Sequence, residues 1–383
     1  MWLGAVAAAP AARNRLINWH PDLAERASAI QPALVAADAG ALAGAVADEA
    51  RRRYDQMLVG IRAYRAHPYR RAEPDHAVIW QQGTTRLFDC APGGGHRRPV
   101  LLVPSLVNRA YILDLAPRRS LVRFLAQRGF RPLLVDWGAP GSVEHAFGLA
   151  DYLARLEAIV EMAARDYRSR VAVIGYCMGG TMTVALAERR QKRLSALVLL
   201  AAPWDFHLGQ AYVARAIGLL RPTIDAILAQ AGELPVDILQ SFFALAQPTQ
   251  AAVKFAEFGA LDPDSAVARA FVQVEDWLND GVPLAANVAR ECLFDWYGDN
   301  APAQGRWRLG RAVVRPQRIK LPSLVVVPRR DRIVPRSAAI PLAFAIPGAS
   351  VIEPRSGHIG MVVGGRARAD LWRPVADWLD RHP

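Results

Sequence analysis

The sequence has few cysteines and no long apolar run, and each shortage excludes a class of protein. Its three cysteines, Cys90, Cys177 and Cys292, lie far apart without metal-ligand spacing. A disulfide framework is therefore not expected, and we expect a reducing compartment. No apolar run reaches the roughly 18 residues of a membrane span, so no transmembrane segment is expected. The alanine-rich residues 1–13 have no charged region before their apolar stretch, which argues against a signal peptide.

Lysine is also scarce, and arginine supplies nearly all of the positive charge. The formal net charge is +12, yet lysine occurs only at Lys192, Lys254 and Lys320. One explanation is genome composition. The other is an anionic partner such as a phosphate-bearing acyl carrier. No nucleic-acid-binding motif accompanies the charge, so nucleic acid is not an expected partner.

The spacing of apolar residues divides the chain into four parts. Residues 1–75 show helical spacing and predict an N-terminal helical segment. Residues 76–205 alternate short, continuously apolar strands with helices, which predicts a mostly parallel sheet with helices on both faces. Residues 206–312 show helical signals without a clear strand, and residues 313–383 return to the strand–helix alternation. We therefore predict an α/β core in two parts, interrupted by a helical lid at 206–312.

A five-residue motif, Gly175-Tyr176-Cys177-Met178-Gly179, lies between a predicted strand and a predicted helix. It matches the nucleophile elbow G-x-S-x-G with cysteine in place of serine. The elbow is a strained turn, so side chains two residues to either side must be nearly absent. The helix N-terminus favours a thiolate, and the Met178 N–H is predicted to face the developing oxyanion. The alternative is a buried cysteine that behaves as a small apolar residue.

The base and the acid are expected to follow the nucleophile in the order acid, then histidine. Among the eight histidines, only His358 comes just after the last predicted strand, in the glycine-containing loop SGHIG. Asp331 follows the preceding strand, where it would fix the imidazole tautomer and stabilise the imidazolium. Asp205, after the fourth strand of the alternating region, is the alternative acid.

A second oxyanion donor is expected in the loop after an early strand, here PSLVN at residues 104–108. We favour the backbone N–H of Val107, with Leu106 as the alternative. The Asn108 side chain is expected to organise the loop, or simply to favour a turn.

Cysteine in the elbow suits acyl transfer better than hydrolysis. A cysteine acyl-enzyme is a thioester close in energy to an acyl-CoA, so its acyl group stays activated toward a hydroxyl. A hydroxyl competes with water only in a dry site, and the helical lid is a candidate for excluding water.

Several longer stretches resemble the polyhydroxyalkanoate (poly-3-hydroxybutyrate) synthase family of the α/β-hydrolase superfamily. They are LLVPSLVNRAYILDL, PLLVDWGAPG, GYCMGG, AAPWDF, VEDWLNDG and SGHIGMVVGGRARADLWRPVADWL. The resemblance extends over residues 100–378. In its short length, the chain most resembles the catalytic subunit of the two-component (class III) type. The resemblance thus implies an α/β-hydrolase fold with an inserted helical lid.

The resemblance also implies a Cys–His–Asp triad at Cys177, His358 and Asp331. It implies (R)-3-hydroxyacyl-CoA as substrate, a polyester chain as product, a non-catalytic partner subunit and a cytoplasmic location at polyester granules. We expect a homo-oligomer, no cofactor and no metal. The chain departs from the family at Arg332, where a histidine usually follows the catalytic aspartate. The rival functions are a cysteine hydrolase, either a thioesterase or an intracellular depolymerase, and an inactive granule-binding protein.

Overall fold

A computed structural model describes residues 2–19, 21–73, 75–91, 98–246 and 249–383. No helix in these ranges is both long enough and apolar enough to cross a membrane.

The chain forms two compact units. The smaller contains Met1–Arg70 and Gln247–Gln273, and the larger contains Arg71–Ala246 and Val274–Pro383. The middle of the predicted lid thus belongs to the same unit as the N-terminal helices.

The larger unit is built on an eight-stranded sheet. Its strands are β1 Ala77–Gln82, β2 Thr85–Asp89, β3 Pro99–Val103, β4 Arg131–Asp136, β5 Val171–Tyr176, β6 Leu194–Leu200, β7 Ser323–Val326 and β8 Ser350–Ile352. Their order across the sheet is β1-β2-β4-β3-β5-β6-β7-β8, and only β2 runs against the others. Every residue of the central strands β3, β5 and β6 is buried, which explains their continuous apolar runs. The predicted α/β-hydrolase sheet is confirmed.

Helices cover both faces of this sheet. In chain order, the α-helices of both units are α1 Trp2–Arg13, α2 Pro21–Ala36, α3 Ala39–Ala66, α4 Leu121–Gln127, α5 Leu149–Asp166, α6 Met178–Arg190, α7 Ala211–Ala231, α8 Val236–Ala246, α9 Gln250–Gly259, α10 Ala266–Asn279, α11 Ala286–Arg290, α12 Arg336–Ala345, α13 Gly360–Val363 and α14 Arg373–Arg381. Apolar side chains of α5, α6 and α12 pack on one face, and those of α4 and α14 pack on the other.

The predicted lid region, residues 206–312, is mainly helical, with α7 to α11 and a π-helix at Glu291–Gly298. Two pairs of two-residue strands also occur here. Glu233–Leu234 pairs with Leu284–Ala285, and Arg308–Leu309 pairs with Ala312–Val313. Such short pairings leave no period-two pattern, so the sequence does not reveal them.

The smaller unit has its own apolar centre between α3 and α9. A Cβ atom on Gly60 would lie 1.7 Å from the Phe255 carbonyl oxygen, so only glycine allows the two backbones to approach this closely. Phe258 stacks on Phe271 with ring centroids 4.4 Å apart, and Phe255 meets Phe271 edge-on at 5.7 Å. These lid aromatics therefore contribute to a local core. The side chains of Phe243 and Leu245, also apolar residues of the predicted lid, lie outside the described residues.

Candidate active site

Cys177 lies at the turn between β5 and α6, as the elbow motif predicts. Its backbone has φ 54° and ψ −124°, a conformation that residues with a side chain rarely adopt. The Cys177 N–H donates to the Leu200 carbonyl oxygen at 2.9 Å, which ties the turn to the end of β6. The surrounding sheet therefore holds the strained residue, and strain of this kind is typical of functional sites.

The elbow glycines are required by close packing. A Cβ atom on Gly175 would lie 2.3 Å from the Thr183 hydroxyl oxygen, and one on Gly179 would lie 2.3 Å from the Pro104 carbonyl oxygen. Gly180, which the motif does not include, has the same constraint, because its Cβ would lie 2.6 Å from another side-chain carbon. The turn thus packs directly against the loop that follows β3.

His358 and Asp331 form a buried hydrogen-bonded pair. The His358 Nδ1 atom lies 2.7 Å from Asp331 Oδ2, and the side chains are 7% and 0% exposed, respectively. The other carboxylate oxygen, Oδ1, accepts the backbone N–H groups of Ile333 at 2.9 Å and Val334 at 2.8 Å. Three hydrogen bonds therefore fix the carboxylate, and the carboxylate fixes the imidazole.

Cys177 lies close enough to the His358 ring to affect its pKa. Because Nδ1 is bonded to Asp331, Nε2 is the ring atom available for the thiol. Burial lowers the pKa of His358, but the negative charges of Asp331 and Cys177, with hydrogen bonds to both, raise it to about 10. This environment favours the protonated imidazolium form of His358.

Asp205, the alternative acid, has a different set of partners. Its Oδ1 atom accepts the backbone N–H groups of His207 at 3.0 Å and Leu208 at 3.1 Å, and the side-chain amide of Asn300 at 2.9 Å. Asp205 therefore stabilises the turn after β6. The carboxylate that contacts His358 belongs to Asp331 instead.

The loop after β3 is bound to the lid region. The Val107 carbonyl oxygen accepts the N–H of Val282 at 3.1 Å, and Asn108 forms an antiparallel bridge with Gly281. The Val107 N–H lies 3.4 Å from the Ser105 hydroxyl oxygen, a long contact that a stronger acceptor would displace.

The other two oxyanion candidates are Met178, on the elbow, and Leu106, on the loop after β3. Met178 is the first residue of α6, so its N–H has no acceptor within that helix. The Leu106 side chain is buried in the apolar cluster on the α5–α6 face. Donation by Met178 and Val107 to an oxyanion remains a prediction.

Tyr176 is a site residue that the sequence analysis missed. Its ring stacks on the His358 imidazole with centroids 5.0 Å apart and planes at 29°. Its hydroxyl donates to the His358 carbonyl oxygen at 3.4 Å. The elbow motif accepts any residue at this position, so the motif contains no signal for it.

Tyr297 is a second missed residue, and it lies on the π-helix. Burial and the negative charge of nearby Cys177 raise its pKa. Its ring packs edge-on against Phe206 at 4.9 Å. π-helical turns are frequent at functional sites, but the sequence here resembles an ordinary helix.

The remaining two cysteines, Cys90 and Cys292, are buried, whereas Cys177 is partly exposed. Burial raises the pKa of both buried thiols. Of the three cysteines, Cys177 is therefore the best candidate for the nucleophile.

The family model of the alpha/beta hydrolase fold matches residues 98–364. Among solved structures, a monoacylglycerol lipase from Paleococcus ferrophilus aligns over 75% of this chain and 97% of that protein, with a TM-score of 0.47 and 17% identity.

Three similar relatives are poly(3-hydroxyalkanoate) polymerase subunits PhaC. The Haloferax mediterranei protein is 33% identical over 79% of this chain, and the Haloarcula marismortui protein is 32% identical over 73%. The match covers 63% and 60% of the length of those two relatives. The Synechocystis protein is 31% identical over 73% of this chain and 77% of its own length. The chain belongs to the poly(3-hydroxyalkanoate) polymerase family, within the α/β-hydrolase fold.

Proposed function

We propose that the protein is an acyltransferase that polymerises (R)-3-hydroxyacyl-CoA into polyhydroxyalkanoate. The observation that supports this most directly is the buried hydrogen bond between His358 and Asp331, with Cys177 close enough to affect the pKa of the imidazole. Membership of the polymerase family supports the substrate class.

In the first step, the Cys177 thiolate attacks the carbonyl carbon of the acyl-CoA. The carbon–sulfur bond to CoA breaks, and the departing CoA sulfur takes the proton held on His358 Nε2. The products are free CoA and an acyl thioester on Cys177. The amides of Met178 and Val107 stabilise the negative oxygen of the tetrahedral intermediate.

In the second step, the now neutral His358 accepts the proton of a 3-hydroxyl group. The hydroxyl oxygen attacks the thioester carbonyl carbon, and Cys177 departs as a thiolate. A new ester bond forms and the thiolate–imidazolium pair is restored. Asp331 holds the imidazole in the required tautomer throughout.

The lid region favours transfer to a hydroxyl over transfer to water. Its strand-like contact with the oxyanion loop, between Val282 and Val107, places lid backbone next to the predicted oxyanion site. The buried Phe206 and the partly buried Tyr297 add apolar surface on the same side of the core. A dry site of this kind protects the activated acyl group.

The relatives are named as polymerase subunits, which supports a non-catalytic partner subunit for this chain. We extend the proposal to a homo-oligomeric catalytic subunit at the surface of the polyester granule.

The test is incubation of the purified protein with (R)-3-hydroxybutyryl-CoA while CoA release and turbidity are followed together. We expect CoA release accompanied by granular polymer, and neither with Cys177→Ala. CoA release with free 3-hydroxybutyrate and no polymer would refute polymerisation and favour the cysteine hydrolase.

A further inference from the structure

Two loops beside the catalytic pair contain an excess of arginine. The first loop follows β7. The second loop follows β8 and includes Glu353, whose side chain is 18% exposed. The arginines on these loops and at the start of α12 are Arg329, Arg330, Arg332, Arg336 and Arg355, and all five are exposed. Asp331, between two of them, is buried and bonded to His358.

Glu353 forms ion pairs with two of these arginines. It lies 3.1 Å from the Arg329 guanidinium and 2.7 Å from the Arg336 guanidinium. Arg330, Arg332 and Arg355 make no ion pair with a described residue. We call these three the arginine rim.

The arginine rim adjoins the catalytic pair. The Arg330 N–H donates to the Ser356 carbonyl oxygen at 3.0 Å, which holds the two loops together. A Cβ atom on Gly357, the residue before His358, would lie 3.3 Å from the Arg330 carbonyl oxygen. Arg332 directly follows Asp331 in the chain. Three positive charges are therefore concentrated at the edge of the sheet that holds the site.

Some other exposed arginines have carboxylate partners, whereas others, including Arg308 and Arg311, make no ion pair with a described residue. Arg128 contacts Asp377 at 2.7 Å and Asp380 at 2.9 Å, and Arg366 contacts Asp370 at 2.9 Å. A cluster of unpaired guanidinium groups costs electrostatic free energy that a bound anion offsets. Guanidinium groups match phosphate oxygens in a bidentate geometry, so the expected anion is a phosphate.

We infer that the arginine rim binds the nucleotide phosphates of the CoA thioester. The inference rests on the proposed function and adds a binding site to it. The phosphates would stay at the rim while the acyl end of the substrate reaches Cys177.

The test compares two thioesters of (R)-3-hydroxybutyrate, one with CoA and one with pantetheine, which has no phosphate. Each arginine–phosphate contact should contribute roughly 10-fold to affinity. We expect Arg330→Ala and Arg332→Ala together to raise KM for the CoA thioester at least about 10-fold, with kcat little changed. KM for the pantetheine thioester should not change. Arg311→Ala, at an exposed turn outside the rim, is the matched control and should leave both KM values unchanged.

A binding measurement separates this inference from the proposed function. Free CoA and free pantetheine are titrated calorimetrically into Cys177→Ala protein, with and without the rim substitutions. Loss of CoA binding on rim substitution, with pantetheine binding unaffected, supports the rim even if the wild-type protein makes no polymer. Equal CoA binding with and without the rim substitutions, or an equal rise in KM for both thioesters, would overturn it.

Discussion

His358 Nδ1 lies 2.7 Å from Asp331 Oδ2, although the two residues are 27 positions apart in the chain. The pair forms because β7 and β8 are parallel neighbours whose carboxyl ends meet at the same edge of the sheet. Open α/β sheets bind their ligands at this edge. Cys177 follows β5 at the same edge, so three separate loops converge on one site.

Cys177→Ala should abolish CoA release, a loss of at least about 10³-fold. Cys90→Ala and Cys292→Ala should retain most of the activity, because both thiols are buried and their pKa values are raised. Cys177→Ser should form an acyl-enzyme poorly, since serine gives a less activated ester. The measurement is the initial rate of CoA release. Substantial activity in Cys177→Ala would disprove the mechanism.

Replacing the members of the buried pair should give unequal losses. His358→Gln should cost about as much as losing the nucleophile, because members of a triad act as a unit. Asp331→Asn keeps an acceptor for the two backbone amides but favours the wrong imidazole tautomer, so we expect a loss of about 10²–10⁴-fold in kcat. Asp205→Asn is the control, since an amide oxygen can still accept its backbone hydrogen bonds. A larger loss for Asp205→Asn than for Asp331→Asn would reverse the assignment of the acid.

Gly179→Ala should destroy the elbow, because the added Cβ would lie 2.3 Å from the Pro104 carbonyl oxygen, which is backbone and cannot rotate away. We expect a loss of stability above about 3 kcal/mol or a failure to fold, measured by thermal unfolding. Gly218→Ala on α7 is the matched control, since nothing lies within 4 Å of its added Cβ. It should be neutral or stabilising by about 0.5–1 kcal/mol. Similar behaviour of the two variants would contradict the packing argument.

Glu291 should make stability depend on pH. Burial, together with the charges of Asp295 and Asp151, raises its pKa from 4.5 to about 7, although the Leu149 N–H opposes this shift. The folded state binds more protons than the unfolded state between these values, so the free energy of unfolding should fall as pH rises through this window.

In the wild type, the Glu291 carboxyl should lower the free energy of unfolding by about 1–3 kcal/mol between pH 5 and pH 8. Glu291→Gln cannot ionise and should remove this dependence. The measurement is denaturant unfolding at the two pH values. Glu257→Gln, at an exposed site, should behave like the wild type. A Glu291→Gln variant with the same pH dependence as the wild type would rule out this carboxyl as the cause.

The sequence was sufficient for features that depend on local patterns. The continuous apolar strands predicted the parallel sheet, because a strand buried on both faces has no polar side. The glycines at fixed offsets around Cys177 predicted the elbow, since the turn excludes side chains at those positions. The loop containing His358 was found from its place after the last strand.

The tertiary structure decided what depends on distant segments coming together. It placed Asp331 against His358 and gave Asp205 a role in a turn, a choice that depends on which strands lie side by side. It also stacked Tyr176 on the imidazole, brought Tyr297 close to Cys177, and grouped residues 247–273 with the N-terminal helices. No periodicity specifies such contacts, because they arise from the lateral order of strands and the packing of helices far apart in the chain.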